Sequence, residues 1–320
     1  MITLDDIKLA QQRLRGIAVH TPLIPYPKSP SGRQLFFKPE SLQPIGAFKL
    51  RGAYNKIASL SEEERRKGVI TYSSGNHAQA VAYAARAFGI PSVIVMPENA
   101  PRTKIDGTRA LGAEIVFVGP ASTERHQKAE ALAAKHGYIM VEPYNDEKIV
   151  AGQGTIGLEI LEDMPEVNCV LSPVSGGGLL SGIATAIKLS RPDVKVIGCE
   201  PELAADAQES FRTGKLVTWP AEKTTRTICD GLRTQSLGEL NFGLIRKYVD
   251  DIITVTEDEV RAAMRNLVLN AKLVAEPSGA ATSAAFLYHL DQLPASRCMV
   301  AVISGGNVQP ELLAKILTET

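Results

Sequence analysis

Residues 169–187 read CVLSPVSGGGLLSGIATAI. An apolar, β-branched run of strand length (169–174) passes through Ser175, Gly176, Gly177 and Gly178 into a stretch with helical spacing. A strand that feeds a helix through a glycine turn is half of a βαβ unit, whose next strand runs parallel to the first. Glycines let a backbone approach an anion closely, and the N–H groups and dipole of a helix start favour a phosphate by about 0.3–2 kcal/mol. A tight turn needing positive φ is the alternative use of this stretch, although one glycine would serve it. No lysine follows the glycines in GGGLLS, which disfavours nucleoside triphosphate hydrolysis.

The same alternation runs through the chain. Strand-like runs stand at GVITY (68–72), SVIVMP (92–97), EIVFVG (114–119), KVIGCE (195–200), DIITVT (251–256) and CMVAVIS (298–304). Helix-like stretches such as HAQAVAYAARAFG and TERHQKAEALAAKHG lie between them, so the spacing predicts an α/β protein with largely parallel sheets flanked by helices. TEDEVRAAMRNLV opens with Thr256 and carries Glu259 three residues on, a capping box that predicts a helix start. GQGTIG (152–157) matches a dinucleotide-binding pattern letter for letter. It lacks the context, because PYNDEKIVA before it is no apolar strand and Gly177, twenty residues past Gly157, is not an acid.

With 320 residues, 44% of them hydrophobic, the chain can bury one large or two medium cores. Lys+Arg and Asp+Glu are both 35, and no dense basic run appears, so no nucleic-acid partner is expected. The N-terminus lacks the basic start and apolar core of a signal peptide, and nothing approaches the roughly 18 consecutive apolar residues of a membrane helix. No membrane partner is expected either. Cys169, Cys199, Cys229 and Cys298 are far apart with no CxxC pair, which fits buried thiols in a reducing compartment. A soluble cytoplasmic protein is expected.

Two further loops follow strands and carry polar groups. TYSSGNHAQAV places Ser73, Ser74, Gly75, Asn76 and His77 ahead of a helix, where hydroxyls, an amide and free N–H groups suit a carboxylate or a phenolate-like oxygen. A plain N-cap explains one of the serines and leaves the Asn-His pair unexplained. VAVISGGNVQP ends a strand in Ser304, a neutral hydroxyl able to make one hydrogen bond to a ring nitrogen; a turn with a helix cap is the alternative. No Ser-His-Asp order or nucleophile elbow is evident, so hydrolase chemistry is a weak competitor. QPIGAFKLRG (43–52) sets Lys49 among small and apolar neighbours. Its stem could simply pack while the ammonium reaches water; in an apolar pocket it could instead have a lowered pKa and act as an amine nucleophile.

Together, GAFKLRGAYNKI, SSGNHAQAVAYAA, AGQGTIGLEIL, SGGGLLSGIA and SGGN, in this order and over essentially the whole chain, resemble the fold type II pyridoxal-phosphate enzymes. The resemblance is to the branch of serine/threonine dehydratases, 3-hydroxyaspartate dehydratases and serine racemase. It implies that Lys49 holds pyridoxal 5′-phosphate as a Schiff base, that Phe48 packs on the ring and that Asn76 bonds the phenolic oxygen. Ser175, Gly176, Gly177, Gly178 and Leu179 would hold the phosphate, and Ser304 the pyridine nitrogen. The substrate carboxylate would sit on the loop Ser73, Ser74, Gly75, Asn76 and His77. Freed Lys49 would serve as base at Cα, and a serine at the pyridine nitrogen leaves the ring a weaker electron sink, which favours prompt β-elimination.

The reaction so implied is dehydration of a small β-hydroxy amino acid (serine, threonine or 3-hydroxyaspartate) to a 2-oxo acid and ammonia. SSGNH resembles racemase-like members, in which the residue matching Ser74 is the opposite-face acid/base, so racemase activity is the runner-up. A phosphate-ligand binding protein and a nicotinamide dehydrogenase are the weaker readings outside the family. CEPELAADAQ matches a racemase-like cation site, with Glu200, the Ala204 carbonyl and Asp206 as oxygen ligands to Mg²⁺, or to Ca²⁺ or Mn²⁺. QPIGAFK replaces the KTGSFK of nucleotide-regulated relatives, and the chain ends soon after SGGN, so neither ATP control nor an isoleucine-sensing domain is expected. The family layout implies a large lobe of residues 1–58 and 148–320, a smaller mobile lobe of 59–147, and a homodimer. In CDGLRTQSLG, Arg233 or Thr234 is expected at the substrate's distal group.

Overall fold

The computed structural model describes residues 2–30, 32–73, 75–100, 102–119 and 122–319; Ser74, the expected second acid/base, lies outside them. All seven strand-like runs are strands: β3 (Val69–Tyr72), β4 (Ser92–Pro97), β5 (Glu114–Val118), β7 (Cys169–Pro173), β8 (Lys195–Pro201), β9 (Asp251–Val255) and β10 (Cys298–Ile303). Three more were not anticipated: β1 (Ile24–Pro25), β2 (Gln34–Pro39) and β6 (Ile139–Met140). β1 and β6 are two residues each, too short to carry a period, and β2 contains Lys38, whose ammonium is fully buried against Glu159 at 2.7 Å.

Two sheets result. One has the order β1-β2-β10-β7-β8-β9, parallel throughout except where β1 pairs antiparallel with β2. The other has the order β5-β4-β3-β6 and is entirely parallel. The larger sheet is buried on both faces, as its unbroken apolar strands require. Leu171, Ile197, Ile253, Met299, Ala301 and Ile303 face the helix Pro277–Tyr288, and Val170, Val196, Ile252, Val300 and Val302 face the helix Gly178–Ser190.

The helix Glu147–Asp163 is buried along most of its length and contains GQGTIG. A Cβ on Gly152 would lie 2.6 Å from the Arg51 carbonyl oxygen, one on Gly154 2.9 Å from Gly182 O, and one on Gly157 3.0 Å from Ile183 O. These glycines therefore bring three helices together by close backbone approach, which is the use of a pattern that imitates a dinucleotide fingerprint. Thr256 caps the helix Glu257–Asn266 with the reciprocal Glu259 bonds of a capping box, as expected. Among the described residues no helix is long and apolar enough to cross a membrane.

The helix Lys49–Ala58 is held from beneath by buried charge. Arg51, 1% exposed, bonds Glu40 at 2.7 and 2.8 Å and Glu159 at 2.6 and 2.9 Å. Burial alone would lower the Arg51 pKa, but the two carboxylates together raise it. The network sits directly under the turn that carries Lys49.

Candidate active site

Both sheets reverse their winding at one place. From β7 the chain moves outward to β8 and β9, then returns to set β10 on the other side of β7. In the smaller sheet it moves from β3 to β4 and β5, then sets β6 on the other side of β3. Loops leaving such neighbours diverge and open a crevice at the carboxyl ends of the strands. Residues after β3, β6, β7 and β10 (Ser73, Pro143, Ser175 and Ser304 among them) line one cavity of about 790 Å³. That size suits a cofactor with a small substrate.

Lys49 is the first residue of its helix and lines this cavity. Its Nζ donates to the Pro143 carbonyl at 2.7 Å and lies 5.2 Å from the centre of the Phe48 ring. Burial lowers its pKa from 10.5 to about 8, because the ammonium is the form that loses hydration. The loop before Lys49 is pinned to the β10 loop: Phe48 N donates to Ser304 O at 3.0 Å, and Ala47 bridges Gly305. This places a lysine amine and the Ser304 side chain, 5% exposed, on one cavity.

The glycine loop is shaped by Tyr144. A Cβ on Gly176 would lie 2.5 Å from Tyr144 Cγ, and one on Gly178 3.0 Å from Tyr144 Cβ. Gly177 has φ 89° and starts the helix Gly178–Ser190, while Ser175 takes φ 55° without being glycine. Asn241 Nδ2 clamps the loop, donating to Gly176 O at 2.7 Å and Tyr144 O at 3.2 Å. Among the described residues no acceptor partners the N–H groups of Ser175, Gly176, Gly178 and Leu179. The loop leaves its donors open, as an anion cradle would.

Across the cavity, Asn76 begins the helix Asn76–Ala87. The His77 ring is 2% exposed, and its Nε2–H donates to Val141 O at 3.0 Å; a carbonyl only accepts, so Nε2 carries the proton. Burial, with Lys49 nearby, drops its pKa to about 3, so the imidazole is neutral. Gly75 N donates to Ser73 Oγ at 3.2 Å.

Of the two residues expected at the distal group, Thr234 sits with its hydroxyl 3.3 Å from Ser175 Oγ, beside the cradle. Arg233 is an exposed rim residue whose Nε and Nη2 donate to Thr227 O at 2.9 and 2.5 Å. Glu200 and Asp206 are both buried, at 1% and 2% exposure. Burial first, and then mutual repulsion, raises Glu200 well above the usual carboxylate range, and burial raises Asp206 to about 7.

Sequence reading missed four groups. Glu276, 2% exposed, accepts from Asn76 Nδ2 at 2.6 Å; before Pro277 it looks like an ordinary helix cap. Lys104, 5% exposed, pairs with Asp230, and its Nζ lies 3.3 Å from where a Gly75 Cβ would be. Asn307 and Tyr144 complete the list, and only Asn307 stood in a motif, the end of SGGN.

Comparison with known proteins bears on the whole chain. The chain is 45% identical over 324 aligned positions to an L-threonine ammonia-lyase of Thermotoga maritima, an alignment covering 100% of this chain and 79% of the relative. It is 40% identical to the L-threo-3-hydroxyaspartate ammonia-lyase of Saccharomyces cerevisiae, covering 99% and 96% of the two chains. The solved structure of maize serine racemase superposes with a TM-score of 0.94 at 38% identity, covering 98% of this chain and 96% of that one. The family model for pyridoxal-phosphate dependent enzymes matches residues 15–305, a span that takes in Lys49, the glycine cradle and Ser304, and the chain belongs to that family.

Proposed function

We propose that this enzyme dehydrates and deaminates a small β-hydroxy amino acid, serine, threonine or 3-hydroxyaspartate, releasing a 2-oxo acid and ammonia, with racemisation as an accompanying activity. The observation that carries the reading is the meeting, in one cavity, of a desolvated lysine amine, an open glycine cradle and a neutral strand-end hydroxyl. The unpartnered cradle N–H groups support phosphate binding there. When bound, pyridoxal phosphate makes the Cα–H of an attached amino acid acidic.

The rest falls to the chain's own residues. Lys49 anchors the cofactor and, once released, takes the Cα proton; a pKa of about 8 makes it a usable base near neutrality. Ser304 presents an uncharged group to the pyridine nitrogen, and Phe48 packs against the ring. Ser73 and the backbone N–H groups of Asn76 and His77 receive the substrate carboxylate at a helix start, where the dipole favours an anion. Ser74 supplies the opposite-face acid/base for racemisation. Residues 59–147 act as a mobile lobe whose closure over substrate excludes water.

The site proposed for a divalent cation is the pair Glu200 and Asp206 with the Ala204 carbonyl, although among the described residues no group of three or more His, Cys, Asp or Glu side chains gathers as a metal site. Two buried carboxylates stand together, and Asp206 Oδ2 has no partner among the described residues, a cost that Mg²⁺ would offset. The four cysteines are buried and unpaired, which supports a reducing, cytoplasmic compartment, and we infer a homodimer from the family.

A substrate panel tests the reading: L- and D-serine, threonine and the 3-hydroxyaspartate stereoisomers, scored for 2-oxo acid and for enantiomer, with and without Mg²⁺. The expected result is 2-oxo acid from at least one β-hydroxy substrate and none after borohydride reduction of the visible cofactor band. Absence of that band in the purified enzyme overturns the proposal. In Ser74→Ala, racemisation should fall sharply while elimination from the L-substrate survives; equal losses would make Ser74 a binding residue instead.

A further inference from the structure

Asn76 is expected to face the cofactor's ring oxygen, and the structure determines how its amide is presented. Asn307 Nδ2 donates to Ile45 O at 2.9 Å and to Asn76 Oδ1, also at 2.9 Å. Asn307 is thereby oriented by a carbonyl, which can only accept. Asn76 must then turn its oxygen toward Asn307, because the reverse orientation would set two amide nitrogens against each other. The Asn76 nitrogen is left facing Glu276, to which it donates at 2.6 Å. One of its two N–H bonds is used there, and the other is open to the cavity that both residues line.

Glu276 is built into this position. Its backbone N donates to Gly305 O at 3.0 Å, and a Cβ on Gly305 would lie 2.4 Å from Glu276 Oε1 and 3.2 Å from Asn76 Nδ2. The SGG turn after β10 is thus bare of side chains where the carboxyl and the amide meet. Glu276 Oε2 is buried with no hydrogen-bond partner among the described residues. A carboxyl group kept in that condition costs stability, a cost tolerated where its location serves something else.

We infer that Glu276 is a positioning residue for the reaction: by accepting from Asn76 it aims the remaining Asn76 N–H at the cofactor's ring oxygen. The inference rests on the cofactor reading proposed above. An acceptor at the Oε1 position is what the geometry needs, and a negative charge is not. Two substitutions that leave a polar, similarly sized side chain separate these. Glu276→Gln keeps an acceptor at the same reach without charge; Glu276→Asp keeps the charge but stops one methylene short of Asn76.

The experiment compares wild type, Glu276→Gln and Glu276→Asp as holoenzymes, by the absorbance maximum of the bound cofactor, the dissociation constant for pyridoxal phosphate, and kcat and KM separately. Glu276→Gln should keep the band position and hold kcat/KM within about threefold. Glu276→Asp should shift the band and lose about tenfold in kcat, the equivalent of one hydrogen bond, with KM little changed. The reverse pattern, with Glu276→Asp like wild type and Glu276→Gln impaired, would show that charge is what matters and overturn the inference, as would two variants indistinguishable from wild type. Should wild type itself show no borohydride-sensitive band, the cofactor reading fails first, and the two failures are told apart.

Discussion

Gly176→Ala tests the link between packing and cofactor binding. An alanine Cβ there would point into the face of the Tyr144 ring, 2.5 Å from Cγ and 2.6 Å from both Cδ atoms, against 3.4–4 Å for ordinary contact. Asn241 Nδ2 holds both Tyr144 O and Gly176 O, which ties the two backbones together, so relief has to come from turning the ring about its Cα–Cβ bond or from moving the cradle itself. Overpacking of this kind costs about 1–3 kcal/mol, which corresponds to a roughly 5- to 150-fold change in an equilibrium constant. Because the cradle N–H groups are the expected phosphate donors, most of that cost should appear as a raised dissociation constant for pyridoxal phosphate, with the fold intact by circular dichroism.

Tyr144→Ala removes the obstacle, so Gly176→Ala made in that background should cost little. Titration of the four apoproteins of this cycle with pyridoxal phosphate measures the coupling, expected at about 1–3 kcal/mol. Effects that add to within about 0.5 kcal/mol would refute the claim that Tyr144 is why residue 176 has no side chain.

Three other outcomes follow from the buried charges. With Lys49 as the proposed anchor, only its neutral amine would capture the cofactor, so the rate at which apoprotein takes up pyridoxal phosphate should rise with pH and level off above about 8; a rise continuing toward 10.5 would mean that Lys49 is not desolvated. In the same window the unfolded chain holds a proton on Lys49 that the folded chain has released, so apoprotein stability gains from raising pH between about 8 and 10.5, a gain that Lys49→Met should lack in urea melts. Arg51→Met would leave Glu40 without its ion-pair partner in the interior and Glu159 with Lys38 alone, and urea unfolding should show a loss of about 3–5 kcal/mol. A loss under 1 kcal/mol would mean that the network does not hold the lysine helix in place.

Three of the four strands that carry the site loops, β3, β7 and β10, were legible because they are buried on both faces and read as unbroken apolar runs, CVLSPV and CMVAVIS among them, whereas β6, two residues long, was not. β2 was not, because Lys38 within it is neutralised by a residue 121 positions later, Glu159. GQGTIG shows the opposite failure: three glycines at dinucleotide spacing serve helix contact, and only the partner backbones of Arg51, Gly182 and Ile183 reveal it. Thr234 and Arg233 stood in a polar segment where nothing local distinguishes a ligand from a packing contact, and their hydroxyl and guanidinium are engaged by Ser175 and Thr227.

What the sequence by itself determined is the set of local devices: a strand, a glycine turn and a helix start at each loop, and a lysine in an apolar turn. Those depend on φ/ψ preference, hydrophobic period and the chemistry of a few adjacent residues, all of which are written within a short window. Only the tertiary structure decided that the loops after β3, β6, β7 and β10 share one cavity, that Lys49 loses its hydration there, and that Glu276 meets Asn76. Desolvation, amide orientation and close backbone approach depend on neighbours 94, 200 and 231 residues away, as for Lys49 with Pro143, Asn76 with Glu276, and Asn76 with Asn307. No local pattern encodes distances of that kind.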